Sequence, residues 1–470
     1  MKFNFYYDRT ISKKKSVKGS SVIVKEYHIP NGLPDNLVKY YYPRFDAELF
    51  RKEIGCEAPV YPSELPTEHL KEIKRISIKT IDDKETKFKG FYHFEFFGSA
   101  RNAVGICEDS KDKYNSVFDE IFPKTLQFLH KGVLKLVIGC IQENFNENDI
   151  WITIHNKLEE LSINNSIVAV NDHNLEKNYT KWCKENNFKK RFDVVVFCHS
   201  LYEKSFEVWN LVYNNKEYGM AEGNKVDYKG SGITHKEFVD TRGVIRDHKV
   251  LSMNRRLREH RVATLCVLSK YDMIDNASFQ FMYDKVSYGQ VRNYFPKSKE
   301  NEEYKLEYDK LKEMQHNWID YPISLSVEDG VHHGYGWENK QPYINSYLNI
   351  TTETCFQNDT GYASEKIWKP FGFFQPVINV GSPETLKFIR SFGFKTFDGF
   401  IDESYDLEWD YRKRWKLIQK EIIKIGEMSK QEVHDWYWSM EDILVHNFYL
   451  FMKFGSKHNN NYRRNLMEMV

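Results

Sequence analysis

The apolar positions of this chain fall into two rhythms. Through residues 1–130 they are irregular. "SSVIVKEYHI" alternates as a half-buried strand does, and "HLKEIKRISIKTI" and "FKGFYHFEFFG" read as further strands with lysine-rich edges. From about residue 131 the pattern becomes regular. "VLKLVIGCIQE", "NSIVAVNDHN" and "FDVVVFCHS" are short, nearly continuous apolar runs, as expected of strands covered on both faces. Between them, "DIWITIHNKLEEL" and "LEKNYTKWCKENN" read as helices. After the Gly-rich passage "GMAEGNKVDYKGSG" the rhythm restarts. "HKVLSMNRR", "ASFQFMY", "SYLNITTETCF" and "QPVINVG" predict strands, and "HRVATLCVLSKY" and "NEEYKLEYDKLKEMQHN" predict helices. "SPETLKFIRSFGF" predicts another, with Ser382 as its cap and Pro383 in its first turn. "KQEVHDWYWSMEDILVHNFYLFMKF" predicts one long aromatic helix near the C-terminus.

Strand, helix, strand, repeated twice, predicts an α/β protein with parallel sheets. The expected arrangement is two Rossmann-like domains facing each other across a cleft. An irregular extension of unassigned role (1–130) precedes a first α/β domain (131–245) and a second (246–430), with a terminal helix in 431–470. A single larger doubly wound domain with an N-terminal module is the rival arrangement. In both, ligands belong at the carboxyl ends of the strands.

Composition narrows this picture. The chain's 470 residues exceed one ordinary core, and 41% hydrophobic content with 16% aromatics is ample for two. Lys+Arg 68 against Asp+Glu 67 gives a net charge of +1. Bulk charge therefore does not indicate a nucleic-acid binder, although it leaves room for local basic stretches such as Lys13, Lys14, Lys15 and Lys18. The 7 cysteines are scattered, with no CxxC pair, which argues against a disulfide framework and a zinc cluster. No long apolar segment opens the chain, and no run of about 18 apolar residues occurs. A cytoplasmic protein with no membrane span is the simplest expectation.

Candidate chemistry collects just after the strands. In the first α/β domain these positions hold Gln142, Glu143, Asn171, Asp172, His173, His199 and Ser200. Any one of them would serve as a helix cap. Together they form an acceptor-side wall with a candidate general base, Glu143 first, then His173 or Asp172. In the second domain "MNRRLREHR" puts Asn254, Arg255, Arg256, Arg258, His260 and Arg261 at a strand end and the following helix N-terminus. Positive charge there adds to a positive helix dipole, so an anion is the natural compensation, and the arginine fork suits phosphate oxygens. Glu353 and Thr354 close a later strand, and Ser364 caps a helix whose first turn holds Glu365 and Lys366. A carboxylate there accepts hydrogen bonds from sugar hydroxyls while the lysine neutralises phosphate. GxGxxG after a first strand, GxxxxGK[ST], HExxH and a clear Asp-x-Asp are all missing. Their absence weighs against a dinucleotide oxidoreductase, a P-loop enzyme and a metal-bound diphosphate.

"NRRLREHR", followed about a hundred residues later by "TETCF…ASEKIWKPFGFFQPVINVGSPETLKFIRSFGF", resembles the donor-binding half of a GT-B glycosyltransferase. The nearest named family is the α1,3-fucosyltransferases, and the pattern is also similar to glycosyltransferase-like proteins of phages and large viruses. The resemblance covers residues 246–400. It implies sugar transfer from a nucleotide-sugar to an acceptor hydroxyl, with no metal and no further cofactor, in the host cytoplasm if the chain is viral. Arg261 would meet the diphosphate, Lys366 the phosphates and Glu365 the ribose, with Glu353 or Thr354 near the transferred sugar. Asn254, Arg255, Arg256 and Ser364 complete the donor set, and the terminal helix would cross back to the first domain. Trp368, Lys369 and Pro370 depart from the family pattern and leave the sugar and base open. The acceptor is a glycan, protein or lipid, or alternatively a hydroxylated base in DNA. Two other readings stand beside transfer: a non-catalytic protein with a degenerate fold of this kind, and a phosphorylase or epimerase of similar build.

Overall fold

A computed structural model describes residues 3–7, 9–17, 20–29, 73–95, 118, 121–140, 148–196, 198, 200–201, 205, 232–254, 257–278, 286–314, 341–357 and 359–456. The chain divides into two compact units, Met1–His199 with Asn459–Val470, and Ser200–His458.

The first unit is built on β1 (Phe3–Tyr7), an antiparallel ribbon of β2 (Arg9–Val17) and β3 (Ser20–Ile29), then β4 (Ile73–Ser77) and β5 (Gly90–Glu95). There follow α1 (Pro123–His130), β6 (Leu134–Cys140), α2 (Asn148–Glu160), β7 (Ser166–Val170), α3 (Leu175–Glu185) and β8 (Phe192–Val196). Six of the strands form one parallel sheet in the order β4-β1-β5-β6-β7-β8. β7 is buried at every position, which explains its unbroken apolar run. Ile150, Trp151, Ile154 and Leu158 of α2 and Leu175, Tyr179 and Cys183 of α3 recur at helical spacing and pack into one core with Leu134, Leu136 and Ile138 of β6.

Three strands of this sheet, β1, β4 and β5, come from residues 1–130, where the sequence pattern suggested an irregular extension. β1 pairs with both of the others, Phe5 lying opposite Arg75 on one side and Phe91 on the other. β4 and β5 lie in the two runs read as strands; their pairing with β1 over long separations is what the local pattern does not reveal.

The second unit contains α4 (His235–Asp240), β9 (His248–Met253), α5 (Glu259–Lys270), β10 (Ala277–Ser278), α6 (Tyr288–Val291), α7 (Ser298–Met314) and α8 (Gln341–Ile344). It continues with β11 (Ser346–Thr352), α9 (Glu365–Trp368) running into a 3-10 turn (Lys369–Phe373), β12 (Val377–Val380), α10 (Thr385–Ser391), α11 (Tyr411–Glu427), α12 (Lys430–Trp438) and α13 (Glu441–Ser456). Its parallel sheet has the order β10-β9-β11-β12. α5 is buried from His260 through Leu268, so it is enclosed rather than amphipathic. Among the described residues no helix is long and apolar enough to cross a membrane.

Two local expectations change. Ser382 does not cap α10: its hydroxyl donates to the Thr360 carbonyl, and Glu384, at φ 62°, precedes the first turn. The cap comes from far along the chain. The Asp406 carboxylate accepts from Leu386 N–H at 2.8 Å and Lys387 N–H at 3.0 Å. Replacing this buried carboxylate, Asp406→Ala, should lower stability by about 1–2 kcal/mol, read from the urea midpoint at unchanged slope. The long aromatic helix is two helices, α12 and α13, parted at Ser439 and Met440. Glu441 and Asp442 then occupy the positive first turn of α13.

Candidate functional site

In the second unit the chain runs from β9 outward to β10, then returns to place β11 on the other side of β9. Strand placement therefore reverses between β9 and β11. In open parallel sheets that reversal leaves a crevice at the carboxyl ends of the two strands. β9 and β11 are direct neighbours, Leu348 lying opposite Val250 and Asn349 opposite Leu251. Asn254 is the first residue past β9, and Glu353 and Thr354 are the first past β11. Thr352 Oγ1 donates to Asn254 Oδ1 at 2.5 Å, and Asn254 Nδ2 donates to Ser252 Oγ at 3.1 Å. These bonds fix the asparagine across the reversal point.

Glu353 is the hub. Its N–H donates to the Val380 carbonyl at 2.9 Å, holding β11 to the end of β12. Its own carbonyl lies past the ladder, and the first turn of α5 satisfies it, with His260 Nε2 at 2.9 Å and an Arg261 terminal nitrogen at 3.1 Å. Oε1 accepts from Ser364 N–H at 3.0 Å. Oε2 is buried and takes no hydrogen bond among the described residues. Burial raises the Glu353 pKa above the usual carboxylate value, with Glu365 adding to the rise, while Lys366 and the Ser364 donors oppose it.

His260 and Arg261 are both buried, while Arg258 is exposed, so the last two cations of the run face the interior rather than solvent. Burial first, then neighbouring Arg261, Arg258 and Arg414, pushes the His260 pKa down to about 3, so the imidazole is neutral at pH 7. A carbonyl only accepts, so Nε2 carries the ring proton. The ring lies on Phe356 at 5.3 Å between centroids. Behind Phe356 stands Arg414 of α11, with its guanidinium 4.7 Å above that ring and donating to the Glu408 and Phe356 carbonyls. Arg414 lies outside every sequence motif, because what brings it to the site is its bond to Phe356, 58 residues earlier.

The start of α9 is the other wall. Ser364 Oγ accepts from Lys366 N–H at 3.3 Å and from Lys366 Nζ at 3.2 Å, and Nζ also lies 3.2 Å from Glu365 Oε1. Both charged side chains stay partly exposed, 24% for Lys366 and 17% for Glu365. The rest of the turn is anchored from behind. Trp368 is fully buried and donates through Nε1 to Ser200 Oγ at 3.1 Å, and Ser200 Oγ donates to the Ala363 carbonyl at 2.8 Å. A rigid back thus presents an accessible carboxylate and ammonium at the carboxyl end of β11.

The structure therefore brings together Asn254, Arg261, Glu353, Ser364, Glu365 and Lys366, with Thr354 half-buried beside Glu353. Arg255 and Arg256 lie outside the described residues, as do Gln142, Glu143 and His199. Asp172 and His173 belong to the first unit. There Asp172 shapes the turn into α3: its Oδ1 accepts from Asn174 N–H at 2.9 Å and its carbonyl from Leu175 N–H at 3.3 Å. His173 is half-buried in the same turn. The reversal point of that sheet lies between β1 and β5 rather than at β7. Among the described residues no group of three or more His, Cys, Asp or Glu side chains could hold a metal ion. No protein-family model matches this chain, and no curated protein matches it.

Proposed function

We propose that the second unit binds the diphosphate and ribose of a nucleotide-activated sugar, and that the chain transfers this sugar to an acceptor hydroxyl. The observation that carries the reading is the strand reversal between β9 and β11, with Asn254, Glu353 and the Ser364-Glu365-Lys366 turn gathered at its carboxyl end. In this reading Lys366 exchanges its Glu365 and Ser364 partners for phosphate oxygens, and Glu365 accepts from ribose hydroxyls. Positive charge beside the leaving diphosphate lowers the barrier to its departure. Glu353, enclosed and tied to Ser364, is a positioning residue that holds the turn in place. The two sheets are then the two Rossmann-like halves of a GT-B enzyme.

The test is a thermal unfolding series with UDP, GDP, CMP and ADP and their sugars, followed by calorimetric titration of whichever stabilises. Lys366→Met should weaken the nucleoside diphosphate by about 10–100-fold, the loss of one charge-assisted contact, and leave the unligated transition in place. Arg261→Ala is the poorer probe, because its buried guanidinium also closes the Glu353 carbonyl. If no nucleotide shifts the transition at millimolar concentration, or Lys366→Met binds as the parent does, the donor-site reading falls.

A further inference from the structure

The solvent face of α11 has no part in the donor site. The helix buries Trp415, Ile418, Ile422 and Ile425 against the core. Its exposed positions are Arg412, Lys413, Lys416, Lys420, Lys424 and Glu427, so five cations precede the one acid of the last turn. Arg412, Lys416, Lys420 and Lys424 follow at steps of four, each a rise of about 6 Å, and Lys413 falls inside the same arc of roughly 120°. The result is a row of positive charge about 18 Å long. Like charges four residues apart destabilise a helix. The adjacent helix α7, joined to α11 by the Gln419–Glu300 hydrogen bond, avoids this by pairing Lys305 with Asp309 and Lys310 with Glu307. On α11 the ammonium groups of Lys413, Lys416 and Lys420 make no hydrogen bond and no ion pair among the described residues. Lys424 alone in the row reaches a carboxylate, Glu421, at 3.7 Å. Asp410 opens the helix, but its Oδ1 is taken by Arg412 N–H and Lys413 N–H. The Asp402 carboxylate, held low first by Ser404, also feels Lys420 and Lys424 without pairing with either.

We propose that this face of α11 binds the phosphate backbone of a nucleic-acid duplex. A protein partner needs apolar area at the centre of the contact, and none of the exposed large hydrophobic residues lies in α11. A bilayer takes up the apolar face of an interfacial helix, and the apolar face of α11 is already buried in the core. Nucleic-acid interfaces are polar and strongly positive, and a duplex carries one phosphate charge per about 1.7 Å of its axis. A straight row of cations at even spacing matches that polyanion. Its position also fits. From the inner face of the same helix Arg414 donates to the carbonyl of Phe356, which follows Glu353 closely in the chain. Duplex lying along α11 therefore passes beside the crevice at the carboxyl end of β11. In the sugar-transfer reading this makes nucleic acid the carrier of the acceptor hydroxyl, while the binding itself stands without that reading.

Fluorescence anisotropy of labelled DNA and RNA duplexes of about 24 base pairs with the full chain, over roughly 50 to 200 mM NaCl, tests the proposal. Four phosphate contacts, from Arg412, Lys413, Lys416 and Lys420, give a slope of log K on log salt of about −3.6 on DNA, roughly a 150-fold loss of affinity over that range. The K413Q/K416Q/K420Q variant should bring that slope to about −0.9, and each single variant should reduce its magnitude by about 0.9. These three ammonium groups hold nothing in the fold, so the variants should unfold at the parent's urea midpoint. A K305Q/K310Q/K312Q control, at exposed lysines of α7, should keep the parent's slope. Failure of the parent to bind either duplex at the lowest salt overturns the proposal, as does an unchanged slope in the folded triple variant of α11. Binding to phosphatidylserine vesicles that duplex does not compete away overturns it in favour of a membrane surface. The nucleotide series on Lys366 is a separate measurement, so either reading can fall without the other.

Discussion

Trp368→Ala should lower the stability of the second unit by about 3–5 kcal/mol, the range for deleting a fully buried tryptophan. The indole sits among Phe371, Phe392 and Phe394, with ring centroids 6.3, 5.9 and 5.6 Å away, and none of these rings is placed to fill the space without leaving its own contacts. Its Nε1 donates to Ser200 Oγ, which in turn holds the Ala363 carbonyl just before Ser364. The substitution thus opens a cavity directly behind the turn that presents Glu365 and Lys366. Trp368→Phe keeps most of the ring contacts and loses the hydrogen bond, so about 1–2 kcal/mol is expected. Urea unfolding measures both, and nucleotide-induced stabilisation should survive in the Phe variant and disappear in the Ala variant. An Ala variant within 1 kcal/mol of the parent would show that the turn is not anchored through this residue.

What could be read from the sequence depended on how locally each feature is encoded. β7 and β11 are buried at every position and β6 and β9 through their middles, so each appears as an apolar run that needs no partner to be recognised. Amphipathic α2 and α3 carry their own period. β4 and β5 fall within two runs that read as strands, but that they join β1 in the parallel sheet is decided by pairing between distant segments and is not legible locally. The same limit governs the site. Ser364, Glu365 and Lys366 are adjacent in sequence, and their relation as cap and first turn follows from residue types alone. Arg261 was also recognisable as a cation at a helix start. That its guanidinium reaches the Glu353 carbonyl, 92 residues away, was not, since a fork suited to phosphate suits any acceptor the fold brings near. His260 stands in the same basic run, between Arg258 and Arg261. Only its enclosure beneath Phe356 and beside Arg261 shows that it is neutral.

That neutrality gives the second large prediction. His260 has a folded pKa near 3, against an ordinary value of 6.5. Above pH 6.5 both folded and unfolded chains hold the imidazole neutral, and its full contribution to stability is present. As the pH falls below 6.5 only the unfolded chain takes up the proton, so stability is lost at about 1.4 kcal/mol per pH unit until the folded pKa is reached. Glu353 works in the opposite sense. Its folded pKa is raised by burial, so the folded chain keeps a proton that the unfolded chain has released, and stability is regained as pH falls from that raised value toward 4.5. Buried Glu403 and Asp406, also raised by burial, act in the same direction. The parent's pH profile is therefore a sum of opposed slopes, and His260 must be isolated by difference. His260→Gln removes the titration and retains a donor for the Glu353 carbonyl. It costs some stability at pH 7, where the lost packing on Phe356 is not offset. Relative to that variant, the parent should lose about 3 kcal/mol between pH 6.5 and pH 4, measured by urea unfolding at each pH. Parallel profiles for the two chains would mean that His260 titrates alike in the folded and unfolded states, which its burial between Phe356 and the Glu353 carbonyl does not permit.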